Sequence, residues 1–349
     1  MTNASAQSKR GRDVKLDWIA KQSVGTANRR TVLAGALGSA ALIGAKGAAA
    51  QAYPSKLITI VMPYAAGGST DVIARAIADK LRTSLGVPVI VENKAGGGGA
   101  IGSAYVARAE PNGYTLLLTP SGAIAIAPLA MKPSPFDAIR DFTPVAALHK
   151  YQLFLYARSA GGYRSMEELI AAHKAGKSIS MAITGVGNST HYCAFWLGKE
   201  MGIDFVNVPY SSGSQVAMSI MKGEADVGFL PAADMQPQIN SGAVRMLLVA
   251  SRNPSAAFPD VPTVSKLGLK EPEIDVWIAL FGPRGLPDEI VATLSAAVSE
   301  VYRSGAVDKY LDSSEKISGT PTELARVLAS DVVKYRRFID AAGFLHDRK

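Results

Sequence analysis

The run Leu57-Ile58-Thr59-Ile60-Val61-Met62-Pro63-Tyr64-Ala65-Ala66-Gly67-Gly68-Ser69-Thr70-Asp71 decides how the chain reads. An apolar segment is stopped by proline and two glycines. Ser, Thr and Asp then open a helix to about Leu85, whose apolar residues Ile73, Ala76, Ile77, Leu81 and Leu85 recur at helical spacing before Gly86 ends it. The stretch is a strand, a glycine turn and a helix N-terminus. Such a turn aims unpaired backbone N–H groups, backed by the positive end of the helix dipole, at whatever sits above it, which is the physical basis of an anion site.

Working outward, short β-rich runs alternate with helical patterns, the signature of α/β architecture with largely parallel sheets. Val87–Val91 and Tyr114–Thr119 join Ile58–Met62 as strands of one lobe. Phe142–Leu148 reads as a crossing strand, and Leu153–Ala157 begins a second series with strands Ile179–Thr184, Phe205–Val208, Ala225–Leu230 and Met246–Ala250. The helices of that series are Ser165–Ala175, Ser189–Met201 and Ser214–Lys222. Val276–Phe281 reads as a return strand, leading to helices Asp288–Ser304, Val307–Leu311 and Pro321–Ala342. The expected organisation is lobe 1 over 53–146 plus 276–349 and lobe 2 over 147–275, joined by a hinge of two crossing strands. A ligand would then sit between the lobes at the carboxyl ends of the strands.

A chain of 349 residues, 48% hydrophobic and 19% charged, suffices for two lobes with substantial cores. The formal charge of +8 is concentrated at the front: residues 1–50 hold eight Lys/Arg against two acids, leaving about +2 for the rest. That remainder is too small to argue for nucleic acid. The leader has a basic region ending in Asn28-Arg29-Arg30, an apolar stretch Val32–Ala45 and a small-residue site Ala48-Ala49-Ala50. It reads as an export signal, twin-arginine-like or an ordinary secretory one, removed near residues 50–52, so that the mature protein starts near Gln51 or Tyr53 and is periplasmic. The apolar stretch is short and glycine-rich for a membrane span. Cys193 is the only cysteine, which leaves an exported chain without an internal disulfide.

Several segments join the opening one in a recognisable order: Ala74-Arg75, Val91-Glu92-Asn93-Lys94-Ala95-Gly96 through Gly102, Pro111-Asn112-Gly113-Tyr114, Gly185-Val186-Gly187-Asn188-Ser189-Thr190-His191 and Val208-Pro209-Tyr210. Gly223-Glu224-Ala225-Asp226, Phe258 to Thr263 and Phe281-Gly282-Pro283 continue it. Across essentially the whole mature chain this resembles the tripartite tricarboxylate transporter receptor family, the Bug proteins. The resemblance implies a type II-like, two-lobe periplasmic-binding-protein fold that closes on a small carboxylate, a partnership with membrane permease subunits, no cofactor, no metal and no catalysis; we expect a monomer. The other functional readings are a carboxylate sensor for a signalling receptor and a secreted hydrolase.

The residues support that expectation segment by segment. Tyr64, Ala66, Gly67, Gly68, Ser69 and Thr70 are expected to form one jaw of a carboxylate clamp, with the capping role of Ser and Thr as the plainer alternative. Asp71 complements the helix dipole or pairs with Arg75 four residues on. Thr184, Gly187, Asn188, Ser189 and Thr190 repeat the logic in the second lobe and form the other jaw. Tyr210, before the serines 211, 212 and 214, adds hydroxyls or a cap. Gly96–Gly102 lacks the lysine and hydroxyl of a P-loop and is a cleft-lining or structural loop. Trp277 either covers the ligand at the hinge or is core. Members of the family often carry an Asp after the strand following Gly-x-x-Asp. Here Leu230 and Pro231 stand there, which removes a partner for a ligand amino group, while Asp234 is a substitute a few residues on. His191 and Cys193 lie two apart on a helix and point in different directions, so no Cys/His pair forms, and Cys193 reads as a buried hydrophobe. His149, His173, His191 and His346 are too scattered for a metal, and no Gly-x-Ser-x-Gly elbow supports a hydrolase.

Overall fold

The computed structural model describes residues 53–269, 274–311 and 315–342. The proposed export signal over 1–52 and His346 lie outside these residues. The chain forms β1 Ile58–Met62, α1 Ser69–Leu85, β2 Val89–Asn93, α2 Ala100–Ala107, β3 Thr115–Pro120, β4 Phe142–Gln152 and β5 Phe154–Arg158. It continues through α3 Met166–Lys174, β6 Ile179–Ile183, α4 Ser189–Met201, β7 Phe205–Pro209, α5 Gly213–Lys222, β8 Val227–Leu230, α6 Ala232–Asn240 and β9 Val244–Val249. The last elements are β10 Asp275–Pro283, α7 Asp288–Arg303, β11 Glu315–Gly319 and α8 Pro321–Ala342.

These strands make two sheets, of order β11-β4-β10-β3-β1-β2 and β7-β6-β8-β5-β9. Strands β1, β2 and β3 pair in parallel, as do β7, β6 and β8. Both sheets are nevertheless mixed rather than mainly parallel, because the crossing and returning strands run the other way: β10 is antiparallel to β3 and β4, β11 to β4, and β5 to β8 and β9. Strand β4 stays in the first sheet as far as Gln152, opposite Asp275, so the chain changes sheets at Leu153. The two crossing strands therefore lie side by side.

The burial pattern explains the layers. Strand β3 is buried from Leu116 to Pro120 and has an apolar face on each side, whereas the edge strand β2 exposes Ile90 and Glu92. On one face of the first sheet Ile58, Ile60 and Met62 pack against Ile73, Ile77 and Leu81 of α1 and Ile290, Leu294 and Val298 of α7. The opposite face, with Val61, Leu117 and Phe281, is covered by α2 and α8 in a core that continues into Met181, Ile183 and Phe229 of the second sheet. Helix α8, expected with the first lobe, also packs on α4: Phe338 lies 4.3 Å and Tyr335 5.2 Å from the Tyr192 ring. The other face of the second sheet, with Phe154, Tyr156 and Ala182, takes Val216 and Ile220 of α5 and Met235 of α6.

Three elements were not foreseen. Helix α6 follows Pro231 and contains Pro237, two residues that read as breakers; Pro231 occupies the N-cap, where its missing N–H costs no helical bond. Strand β11 carries the sequence Glu-Lys-Ile-Ser-Gly, too little apolar alternation to signal a strand. Gly122–Ile126 forms a fully buried π-helical turn after β3. No helix of the described residues is long and apolar enough to cross a membrane.

Candidate functional site

The glycine turn after β1 is locked from behind. The Asp71 carboxylate, 5% exposed, accepts from the Gly67 N–H at 3.1 Å, from Arg75 at 3.0 and 3.1 Å and from Asn93 Nδ2 at 2.8 Å. Asn93 also donates to the Tyr64 carbonyl at 3.0 Å. Burial works against ionisation of Asp71, but the Arg75, Asn93 and Gly67 hydrogen bonds outweigh it and hold the carboxyl below its ordinary range. Asp71 thus pairs with Arg75, as its spacing predicts. Asp71→Ala removes the acceptor for four donor groups on three residues and is expected to cost about 2 kcal/mol, discounted for the half-exposed Arg75. Urea unfolding checks this, and a loss below about 0.5 kcal/mol would place it among ordinary surface substitutions.

On the second sheet, the turn after β6 is closed by its own side chains. Asn188 Oδ1 accepts from the Thr190 and His191 N–H groups, and its Nδ2 donates to Thr184 Oγ1 at 2.9 Å. Thr190 Oγ1 accepts from the Thr184 N–H at 2.8 Å, and Gly187 donates to His191 Nδ1 at 3.0 Å. The start of α4 is therefore capped internally, with the Thr190 and His191 amides taken by Asn188.

Between the two turns lies a small cavity of about 50 Å³, room for a few waters as the two sides stand. Of the residues predicted from sequence, Tyr64, Gly68, Ser69, Thr70, Thr184, Asn188, Ser189 and Thr190 line it. Tyr210 lines an adjoining recess together with Gly96, Gly97, Gly98 and Gly99. Ala66 and Gly67 are exposed outside the lining, and Gly187 packs towards Ala130. Trp277 is not at the cavity: strand alternation turns it to the other face of the first sheet, where its Nε1 donates to Asp331 Oδ2 of α8 at 2.7 Å, while its neighbour Val276 lines the cavity. Cys193 is fully buried, and burial pushes its thiol up. Among the described residues no His/Cys/Asp/Glu cluster could hold a metal.

Sequence reasoning missed Tyr151, which comes to the cavity from β4, and the lining residues Pro120 and Leu153, while Ser212, expected as a hydroxyl donor or cap, lines the cavity and caps α5. It considered Asp234 only as an alternative partner for an amino group. The structure puts Asp234 on the cavity wall with Oδ1 accepting the Ser69 N–H of α1 at 2.6 Å. Desolvation raises the Asp234 carboxyl above its ordinary range, against the Ser69 hydrogen bond. Burial likewise pushes up the phenols of Tyr151, near the Asp234 charge and hydrogen-bonded to Thr70, and of Tyr64, which donates to the Gly98 carbonyl at 3.1 Å. Among the described residues no Lys, Arg or His lines the cavity, and its donors are amides and hydroxyls.

The two sides meet along backbone. Ala65 N–H donates to the Ser211 carbonyl at 3.0 Å. Gly98, at φ +64°, lies so close to Val186 that a Cβ would overlap its carbonyl oxygen, and a Cβ on Gly122 would fall 2.5 Å from the Ser189 nitrogen. The glycine-rich loop before α2 is therefore both recess wall and contact surface.

Comparison with known proteins places this architecture. The sequence profile of the tripartite tricarboxylate transporter family receptor matches residues 73–344. Protein BugT of Bordetella pertussis (strain Tohama I) is 31% identical over 300 residues, 84% of this chain and 91% of BugT. The solved structure of the periplasmic binding protein BugD aligns with a TM-score of 0.79 at 28% identity, over 84% of this chain and 99% of BugD. MatC from Rhodopseudomonas palustris, solved with bound malate, aligns with a TM-score of 0.77 at 28% identity, over 82% of this chain and all of MatC. With two mixed sheets flanked by helices, the fold of those periplasmic binding proteins, the chain belongs to the tripartite tricarboxylate transporter receptor family.

Proposed function

We propose that this protein is a periplasmic receptor that captures a small carboxylate between its two sheets and presents the closed form to the permease subunits of a tripartite transporter. The observation that carries the reading is the convergence of the β1–α1 and β6–α4 turns on one cavity walled by amide and hydroxyl donors. Such neutral donors recognise an anion by preorganised dipoles and need no basic side chain. The malate bound to MatC supports the carboxylate class. In this reading 53–146 with 276–349 moves against 147–275, bending at the adjacent strands β4 and β10, and closure brings the glycine contacts at Gly98 and Gly122 together.

The test is thermal unfolding of the purified protein against mono-, di- and tricarboxylates, aromatic acids and acidic amino acids. A true ligand at a hundred times its Kd adds about 2.7 kcal/mol, or roughly 5 °C in a chain of this size. The compound should be recovered intact. Its consumption by the purified protein overturns the receptor reading in favour of an enzyme, and no response to any acid overturns the carboxylate assignment.

A further inference from the structure

Two carboxylates line the cavity: Asp71 is held from behind by Arg75, Asn93 and the Gly67 N–H, whereas Asp234 has no basic partner there. This residue lies in the first turn of α6, on the second sheet, and its acceptor oxygen reaches across to the Ser69 N–H that opens α1 on the first. Gly213 makes room for it, since a Cβ there would overlap the carboxylate. Gly68 faces Oδ1 from the other side. The positive ends of two helices thus converge on a single carboxylate, the electrostatic arrangement that favours an anion.

A second observation comes from the opposite wall. The Ser189 side chain lines the same cavity and is 6% exposed, yet its hydroxyl has no hydrogen-bond partner. A buried hydroxyl left unsatisfied is costly and points to a partner that arrives from outside the chain. One donor is therefore taken by the protein's own carboxylate and one has no hydrogen bond, in a cavity that no basic side chain among the described residues lines. A ligand carboxylate added beside Asp234 would place two desolvated like charges together.

We propose that Asp234 is an intramolecular stand-in for the ligand's carboxylate: it holds the Ser69 N–H while the cleft is empty, and the ligand's carboxylate displaces it. This inference rests on the carboxylate-receptor reading. Asp234 is then a tethered competitor at high effective concentration, and it sets affinity by opposing every carboxylate that enters.

The experiment uses the full chain, the variant Asp234→Ala and acetate as the probe, with sodium chloride at matched ionic strength as the reference. Acetate should raise the melting temperature of the alanine variant by several degrees with saturation, and that of the native protein no more than chloride does. For any carboxylate that stabilises the native protein, the Kd should fall about tenfold or more in the variant. Asp234→Asn keeps the shape and a weaker, neutral acceptor, and its acetate response should be intermediate; it serves if the alanine variant does not fold. Equal acetate responses in all three proteins, or none, overturn the stand-in role even where the native protein binds a carboxylate. Acetate rescue of the variant, with a native protein that answers no carboxylate, instead fails the receptor reading and the displacement with it.

Discussion

Gly122→Ala is expected to abolish tight ligand binding while leaving the protein folded. Gly122 opens the π-helical turn after β3 on the first sheet, and the Ser189 nitrogen that starts α4 on the second lies where an alanine methyl would go. The methyl meets backbone and cannot be accommodated by rotating a side chain. Overpacking of this kind costs about 1–3 kcal/mol, which is roughly 5- to 150-fold in an equilibrium constant. In the proposed receptor that cost falls on the closed arrangement alone, because the two surfaces part when the cleft opens. Kd for the screened carboxylate should rise by that factor, with the melting temperature of the ligand-free protein nearly unchanged. Gly98→Ala should act in the same direction through its overlap with the Val186 carbonyl, while the strain of its left-handed φ falls on open and closed forms alike and lowers the melting temperature instead. Native affinity in both variants would show that the cleft does not close along this seam.

Much of this architecture is legible in the sequence because periodicity and turn chemistry are local. The apolar spacing of Ile73, Ile77 and Leu81 and the Ser-Thr-Asp opening fix α1, and Asn188-Ser189-Thr190 fixes the start of α4. What is not legible depends on partners distant in sequence. Trp277 and Val276 are both apolar residues of one strand, and only the position of α8 decides that Trp277 turns towards Asp331 while Val276 faces the cavity. Tyr151 lies at the end of a crossing strand and reaches the site only because β4 runs on to Gln152. Asp234 was obscured by the prolines around it, which read as loop and hid α6. The sequence leads one to expect a clamp of amides and hydroxyls at both turns. Sequence shows that a turn can offer N–H groups but not what fills them, and here Asp234 occupies one terminus and Asn188 the other. The donor left without a hydrogen bond is the hydroxyl of Ser189, one of the residues that the sequence assigns to the second jaw.

Between pH 7 and pH 4 the protein should lose about 3 kcal/mol of stability that a His149→Leu variant keeps. His149 sits in β4, fully buried, with Nδ1 against the Tyr302 hydroxyl at 2.9 Å and Nε2 without a partner. Desolvation lowers its pKa from 6.5 to about 4. The groups facing it are the rings of Tyr151 and Tyr302 and, in register across β11, Lys316; none carries negative charge in this range, so an imidazolium there has no counter-ion. The unfolded chain binds the proton near 6.5 and the folded chain only near 4, so each step down in pH through that window favours unfolding. The carboxylates act elsewhere or with the opposite sign. Asp71 and Asp226, held below 3.8 in the fold, contribute stability that is lost only as the pH falls below that value. Asp234, held above 3.8, is protonated earlier in the folded state and makes the fold slightly more favourable as the pH falls towards 3.8. Both proteins share these groups, so the difference between their urea-derived stabilities isolates the histidine. Leucine leaves the Tyr302 hydroxyl free to find water, because Tyr302 is only partly buried. A difference that stays constant from pH 7 to pH 4 would show that His149 titrates with solvent access the buried geometry denies it.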